Sequence, residues 1–214
     1  MCIELDIEIA INFAVKEHGK LDIMINNAAI TGQPKLSILE NEKSVFERVM
    51  SVNVTGVFLG TKHAARVMIP ACSGSIISIG SVSSTIGGVA DHAYTCSKYA
   101  IVGLTKNVAA ELGVFGIRDN CMSPYFIATS MGTSVSKNHP DLFSNAYSNL
   151  KGMVLQVDDV AHATLFLASD ESNYIMGIIW HWMEALPLST HPLAYSRVAS
   201  LRKRYLHLNL DHKI

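Results

Sequence analysis

The feature that most constrains the fold is a recurring unit: a short apolar run ending in small or polar residues, followed by a stretch with helical periodicity. LDIMINNA (21–28), GSIISIGS (74–81) and IRDNCMS (117–123) are such runs. Their length and near-continuous apolar character suit strands buried on both faces of a parallel sheet. Before the first, residues 6–18 place Ile7, Ile11, Ala14 and Val15 at helical spacing, with Gly19 positioned as a C-cap. Helical spacing returns from Glu42 to Met68, in two pieces, and Pro70 marks the stop. Residues 94–113 predict a long helix, residues 157–169 another, and GIIWHWM (177–183) a last strand. Helix and strand alternate throughout, which predicts an α/β fold with a doubly wound parallel sheet. Ligands of such sheets bind beyond the carboxyl ends of the strands, so Asn26, Asn27, Ser81 and Pro124 should gather on one edge.

Composition agrees and removes several classes of function. The 214 residues suit one domain, and 49% apolar against 16% charged residues excludes a disordered chain. A net charge of −1 provides no field to recruit nucleic acid or an anionic membrane, so neither is expected as a partner. The RKR cluster at 202–204 is too short to change that and reads as a solvated face. No apolar run approaches the ~18–20 residues that span a bilayer. The opening MCIELDIEIA carries acids where a secretory signal carries a basic flank. Cys2, Cys72, Cys96 and Cys121 lie far apart, without metal-ligand spacing, and read as reduced thiols of a cytoplasmic protein.

Tyr94 and Lys98 stand four residues apart, on one face of the long helix. A tyrosine is a poor base at neutral pH, with a reference pKa near ~10, and a neighbouring ammonium favours its phenolate. The pair alone is better read as a helix start with an exposed lysine. Ser81, at the end of GSIISIGS, could donate a hydrogen bond to a carbonyl oxygen as charge develops there, or could merely begin a turn. Asn53 sits inside an apolar helical stretch, where asparagine is unfavourable. It marks a helix break, a buried hydrogen bond, or a bound water in a proton relay.

Taken in order, IMINNAA (23–29), VNVTGVF (52–58), GSIISIGS (74–81), YTCSK (94–98) and IRDNCMSP (117–124) resemble the short-chain dehydrogenase/reductase family over roughly residues 5–177. TKHAARVMIPA, SNLKG and LASDES are similar to its plant branch, which includes secoisolariciresinol dehydrogenase and related enzymes of secondary metabolism. The resemblance implies a Rossmann-like sheet and NAD- or NADP-dependent interconversion of a secondary alcohol and ketone of a small hydrophobic metabolite, with NAD favoured by the branch. It makes Tyr94 the acid/base and gives Lys98 the nicotinamide ribose. Ser81 would orient the substrate oxygen, and Asn53 would hold a relay water. Asn26, Asn27 and Ala28 would lie along the adenosine and ribose side, Pro124 and Thr129 near the nicotinamide, and 131–150 would form the substrate lid. Helices within 42–70 and 94–113 resemble the family's subunit contact and imply a homo-oligomer.

The chain departs from the family pattern at both ends. No G-x-x-x-G-x-G turn precedes the NNAA segment, so the first strands and the pyrophosphate-binding loop are expected to be lacking. The remaining sheet should then expose an unpaired edge and an apolar face. Ala29 replaces the glycine of NNAG, Asp119 takes an apolar strand position, and Phe126 stands where glycine is frequent. After Gly177 the resemblance ends. The expected division is therefore a truncated catalytic domain over 1–184 and a divergent tail over 185–214. The alternative to an active enzyme is a silent fragment, at most a dimerisation partner for a full-length relative.

Overall fold

A computed structural model of the chain describes residues 3–33, 35, 37–127, 129–131 and 155–181. The tail at 185–214, the lid beyond Met131 and Cys2 lie outside the described residues. Helix α1 (Glu4–His18) ends at Gly19, whose φ of 81° lets its N–H reach Val15 O. The other elements are strand β1 (Ile23–Asn26), helix α2 (Lys43–Met50), helix α3 (Gly56–Met68), strand β2 (Gly74–Ile79), helix α4 (His92–Leu112), strand β3 (Ile117–Ser123), helix α5 (Val157–Ala168) and strand β4 (Ile179–His181). The four strands pair in parallel in the order β1-β2-β3-β4.

Alternation along β2 builds the two cores. Ile76 packs with Ala64, Met68, Leu112 and Ile117 beneath α3 and α4, whereas Ile77 packs with Met122 and Leu167 beneath α5. Helices therefore cover both faces, as the sequence pattern predicts. Among the described residues the unpaired edge is also found: β1 ends the sheet, with Ile23 42% and Ile25 45% exposed. Leu5, Ile9 and Phe13 form an exposed stripe at four-residue spacing along α1.

The two pieces expected over 42–68 are joined without a break. Ser51–Thr55 form a π-helical turn, in which Gly56 N–H reaches back to Ser51 O. Asn53 is fully buried at its centre, and such turns recur at functional sites.

Gly60 lets α3 approach β1. A Cβ there would overlap Asn26 Oδ1 and stand 2.9 Å from Met24 Cε. The Asn26 amide is held by Thr61 Oγ1 at 3.1 Å and Ser78 Oγ at 3.3 Å, so it cannot swing away freely. Gly60→Ala should therefore lower the denaturation midpoint: overpacking costs about 1–3 kcal/mol, and alanine returns at most ~1 kcal/mol of helix propensity. An unchanged midpoint in urea would mean that the Asn26 side chain yields without loss.

Candidate functional site

Parallel strands deliver their carboxyl-terminal loops to one edge, and here the loops after β1, β2 and β3 enclose a cavity of about 530 Å³ with the start of α4. Ser81, Tyr94 and Lys98 line it together. Asn27, Ala28, Pro124 and Thr129 line it as well. Asn26 and Asn53 are buried and are not among its lining residues.

Tyr94 lies on the third residue of α4, half-buried, and accepts the attention of two groups of opposite effect. Burial pushes the phenol above its ordinary pKa; the hydrogen bond with Ser81 opposes this and the Asp91 carboxylate adds to it. Lys98 is one turn further on and 2% exposed. Its Nζ donates to Ile79 O at 2.7 Å and stands 5.2 Å from the centroid of the Tyr94 ring. Burial lowers the Lys98 pKa to about 8, against a smaller opposing effect of Cys121, so the amine is mostly charged at neutral pH. The sequence argument expects the ammonium to lower the phenol. In the structure burial raises the phenol instead, and the lysine directs its short hydrogen bond at the Ile79 carbonyl.

Asn53 works from behind this wall. Its Oδ1 accepts from Ile30 N at 2.8 Å, and its Nδ2 donates to Ile30 O at 2.9 Å and to Ser97 Oγ at 3.0 Å. Ser97 Oγ in turn donates to Tyr94 O at 2.7 Å. The asparagine thus braces the loop after β1 against the tyrosine helix, which is the buried-bond reading of its sequence position; the helix does not break there. Asn26 joins β1 to α3 and β2 through Thr61 and Ser78.

Sequence reasoning missed Asp91, Gly32 and Lys35, all of which line the cavity. Asp91 is the N-cap of α4, accepting from Tyr94 N at 2.9 Å. An aspartate three residues before a helical tyrosine is a legible cap signal; its second bond, from Gly32 N at 3.1 Å, joins positions 59 apart and is not. Among the described residues no His/Cys/Asp/Glu cluster could hold a metal ion. Likewise, no helix among them is long and apolar enough to cross a membrane.

A parallel sheet with helices on both faces and a cavity beyond its strand ends defines a Rossmann-like α/β domain. The profile of the family described as enoyl-(acyl carrier protein) reductase matches residues 3–182. The chain is 53% identical over 174 residues to a borneol dehydrogenase, mitochondrial, of Lavandula x intermedia, covering 81% of this chain and 65% of that one. It is 55% identical over 172 residues to secoisolariciresinol dehydrogenase of Forsythia intermedia, covering 78% and 62%. It thus spans less than two thirds of the length of these relatives. Among solved structures, levodione reductase superposes with a TM-score of 0.74 at 27% identity, over 83% of this chain and 71% of that one. ElxO with NADP bound superposes with a TM-score of 0.76 at 28% identity, with the same coverage. The chain belongs to the short-chain dehydrogenase/reductase family.

Proposed function

We propose that the chain interconverts a secondary alcohol and the corresponding ketone of a small hydrophobic metabolite, with NAD or NADP as hydride carrier. The observation that carries the reading is the meeting of Ser81, Tyr94 and Lys98 in one cavity. Relatives named as dehydrogenases of borneol and secoisolariciresinol support the substrate class. A solved neighbour titled with NADP bound supports the cofactor class.

The residues present fit the nicotinamide end of such a cofactor. Lys98 uses one of its three N–H donors on Ile79 O, which leaves two for ribose hydroxyls in the cavity it lines. Among the described residues no glycine-rich strand–turn–helix offers amides to a pyrophosphate, and α1 opens with Glu4 and Asp6, which would repel one. When bound, the nicotinamide gives or takes the hydride at its C4. Tyr94 Oη gives the proton to the substrate oxygen in reduction and removes it in oxidation. The Ser81 hydroxyl orients that oxygen, and Lys98 holds the ribose and adds positive charge beside the phenol.

The reading takes residues 1–184 as the catalytic unit and the cytoplasm as its location. It includes a homo-oligomer through helices within 42–70 and 94–113, where Phe46, Phe58 and Tyr99 are exposed. The alternative, a silent fragment, draws no support from relatives that are themselves named as enzymes. Titration with NADH and with NADPH, followed by nicotinamide fluorescence, tests the proposal. A saturable rise with either cofactor is expected, and no saturation at millimolar concentration would overturn it.

A further inference from the structure

Two bridges cross from the loop after β1 to the tyrosine helix. One runs through Asn53 and Ser97 to Ile30. The other is a single carboxylate. Asp91 Oδ1 accepts from Tyr94 N at 2.9 Å and Asp91 Oδ2 accepts from Gly32 N at 3.1 Å. The fit is close: a Cβ at Gly32 would stand 2.6 Å from Asp91 Oδ1, so a larger residue could not bring its amide to the carboxylate unchanged. Asp91 O also accepts from Thr95 N at 3.0 Å, which fixes the backbone of the first turn. Asp91, Gly32 and Tyr94 all line the cavity.

We propose that Asp91 is a positioning residue: its two carboxylate oxygens tie the start of α4, and Tyr94 with it, to the Gly32 loop along the cavity wall, and its charge keeps the proton on the phenol. This deepens the reading above and rests on it for the reaction. An N-cap alone needs one acceptor and no charge, and serine or asparagine serves equally well. A carboxylate beside the acid/base residue does more. It disfavours a second negative charge on the phenol, in the same sense as burial and against the Ser81 hydrogen bond. The other charged or titratable groups lining the cavity with Tyr94 are Lys98 on α4, Lys35 on the loop after β1 and Tyr125 on the loop after β3, and of these Lys98 lies against its ring. Cys121 on β3 acts on Lys98. Lys35 is engaged by Glu42 at 3.1 Å. With the phenol protonated, Tyr94 gives its proton to the carbonyl oxygen while the carbonyl carbon takes hydride from reduced nicotinamide. The ketone becomes the alcohol, the carrier is oxidised, and the phenolate regains a proton from water.

The test compares the wild-type chain with Asp91→Asn and Asp91→Ala by phenolate absorbance and by amide hydrogen exchange, without cofactor. Subtracting the Tyr94→Phe protein isolates the Tyr94 signal. In Asp91→Asn the fraction of Tyr94 ionised at about pH 10 should rise about threefold. The Gly32 amide should exchange roughly tenfold faster while the Tyr94 amide keeps its protection, because asparagine still caps. In Asp91→Ala both amides should exchange faster. An unmoved Tyr94 titration overturns the charge role, and an unmoved Gly32 amide overturns the tether. Should Asp91→Asn not fold, Asp91→Ser, an uncharged cap, gives the same two readings. These readings need no turnover, so failure of cofactor binding sinks the proposed function and leaves this inference standing. If turnover is present, Asp91→Asn moves the pH profile of alcohol oxidation to lower pH.

Discussion

Replacing Asp119 by valine is expected to stabilise the chain at pH 7 by up to roughly 4 kcal/mol, with most of that gain gone near pH 4. Asp119 sits in the middle of β3 opposite Ile76, 1% exposed, and its Oδ1 has no hydrogen-bond partner among the described residues. Burial raises its pKa from 3.8 to about 8. The folded state therefore keeps a proton that the unfolded chain releases. Between pH 4 and 8 the unfolded state binds fewer protons, so stability falls as pH rises, by at most about 1.4 kcal/mol per unit. Above pH 8 both states are ionised and the loss levels off. Valine suits a strand between Ile117 and Cys121 and removes the slope along with the penalty. Urea midpoints measured across this range decide it: a wild-type protein as stable at pH 8 as at pH 5 would show that the carboxyl finds a partner the structure lacks.

The second large effect concerns turnover and rests on the proposed function. Tyr94→Phe should lower the rate of alcohol oxidation or ketone reduction by at least about 10²-fold, the usual contribution of a positioned acid or base. Cofactor affinity should change little, because Lys98 keeps its place through Ile79 O and its burial, not through the phenol hydroxyl. The two outcomes separate the roles. A variant retaining most of its rate would remove Tyr94 as the proton donor, whereas a rate and an affinity lost together would mean that the hydroxyl holds the cavity in shape.

Much of the fold was legible because burial on both faces leaves a local imprint. Runs such as IISI in β2 carry apolar residues at both parities, and the existence of the strands follows from that imprint. The gathering of Ser81 and Pro124 at one edge needed only the strand directions. What stayed hidden depends on partners far apart in sequence. Nothing near Asn26 announces that its amide will be held by Thr61 and Ser78. Nothing near Gly32 announces a carboxylate at position 91. The competition that sets the Tyr94 phenol was also unreadable, since motif spacing reports that Lys98 is near and says nothing of how much water the fold removes.

The π-helical turn at Ser51–Thr55 carries a consequence for which changes in length the chain can accept. Such a turn holds one residue more than a regular α-helical turn. Deleting any one of the five would restore uninterrupted α-helical bonding and look harmless locally. Yet the deletion would rotate α3 against α2 by about 100°, the advance of a single residue. Gly60 would leave Asn26, Met68 would leave Ile76, and Asn53 would lose its alignment with Ile30. At this point the length of the chain is held more strictly than its composition, and a shortened turn would cost the site its frame before it cost the helix a bond.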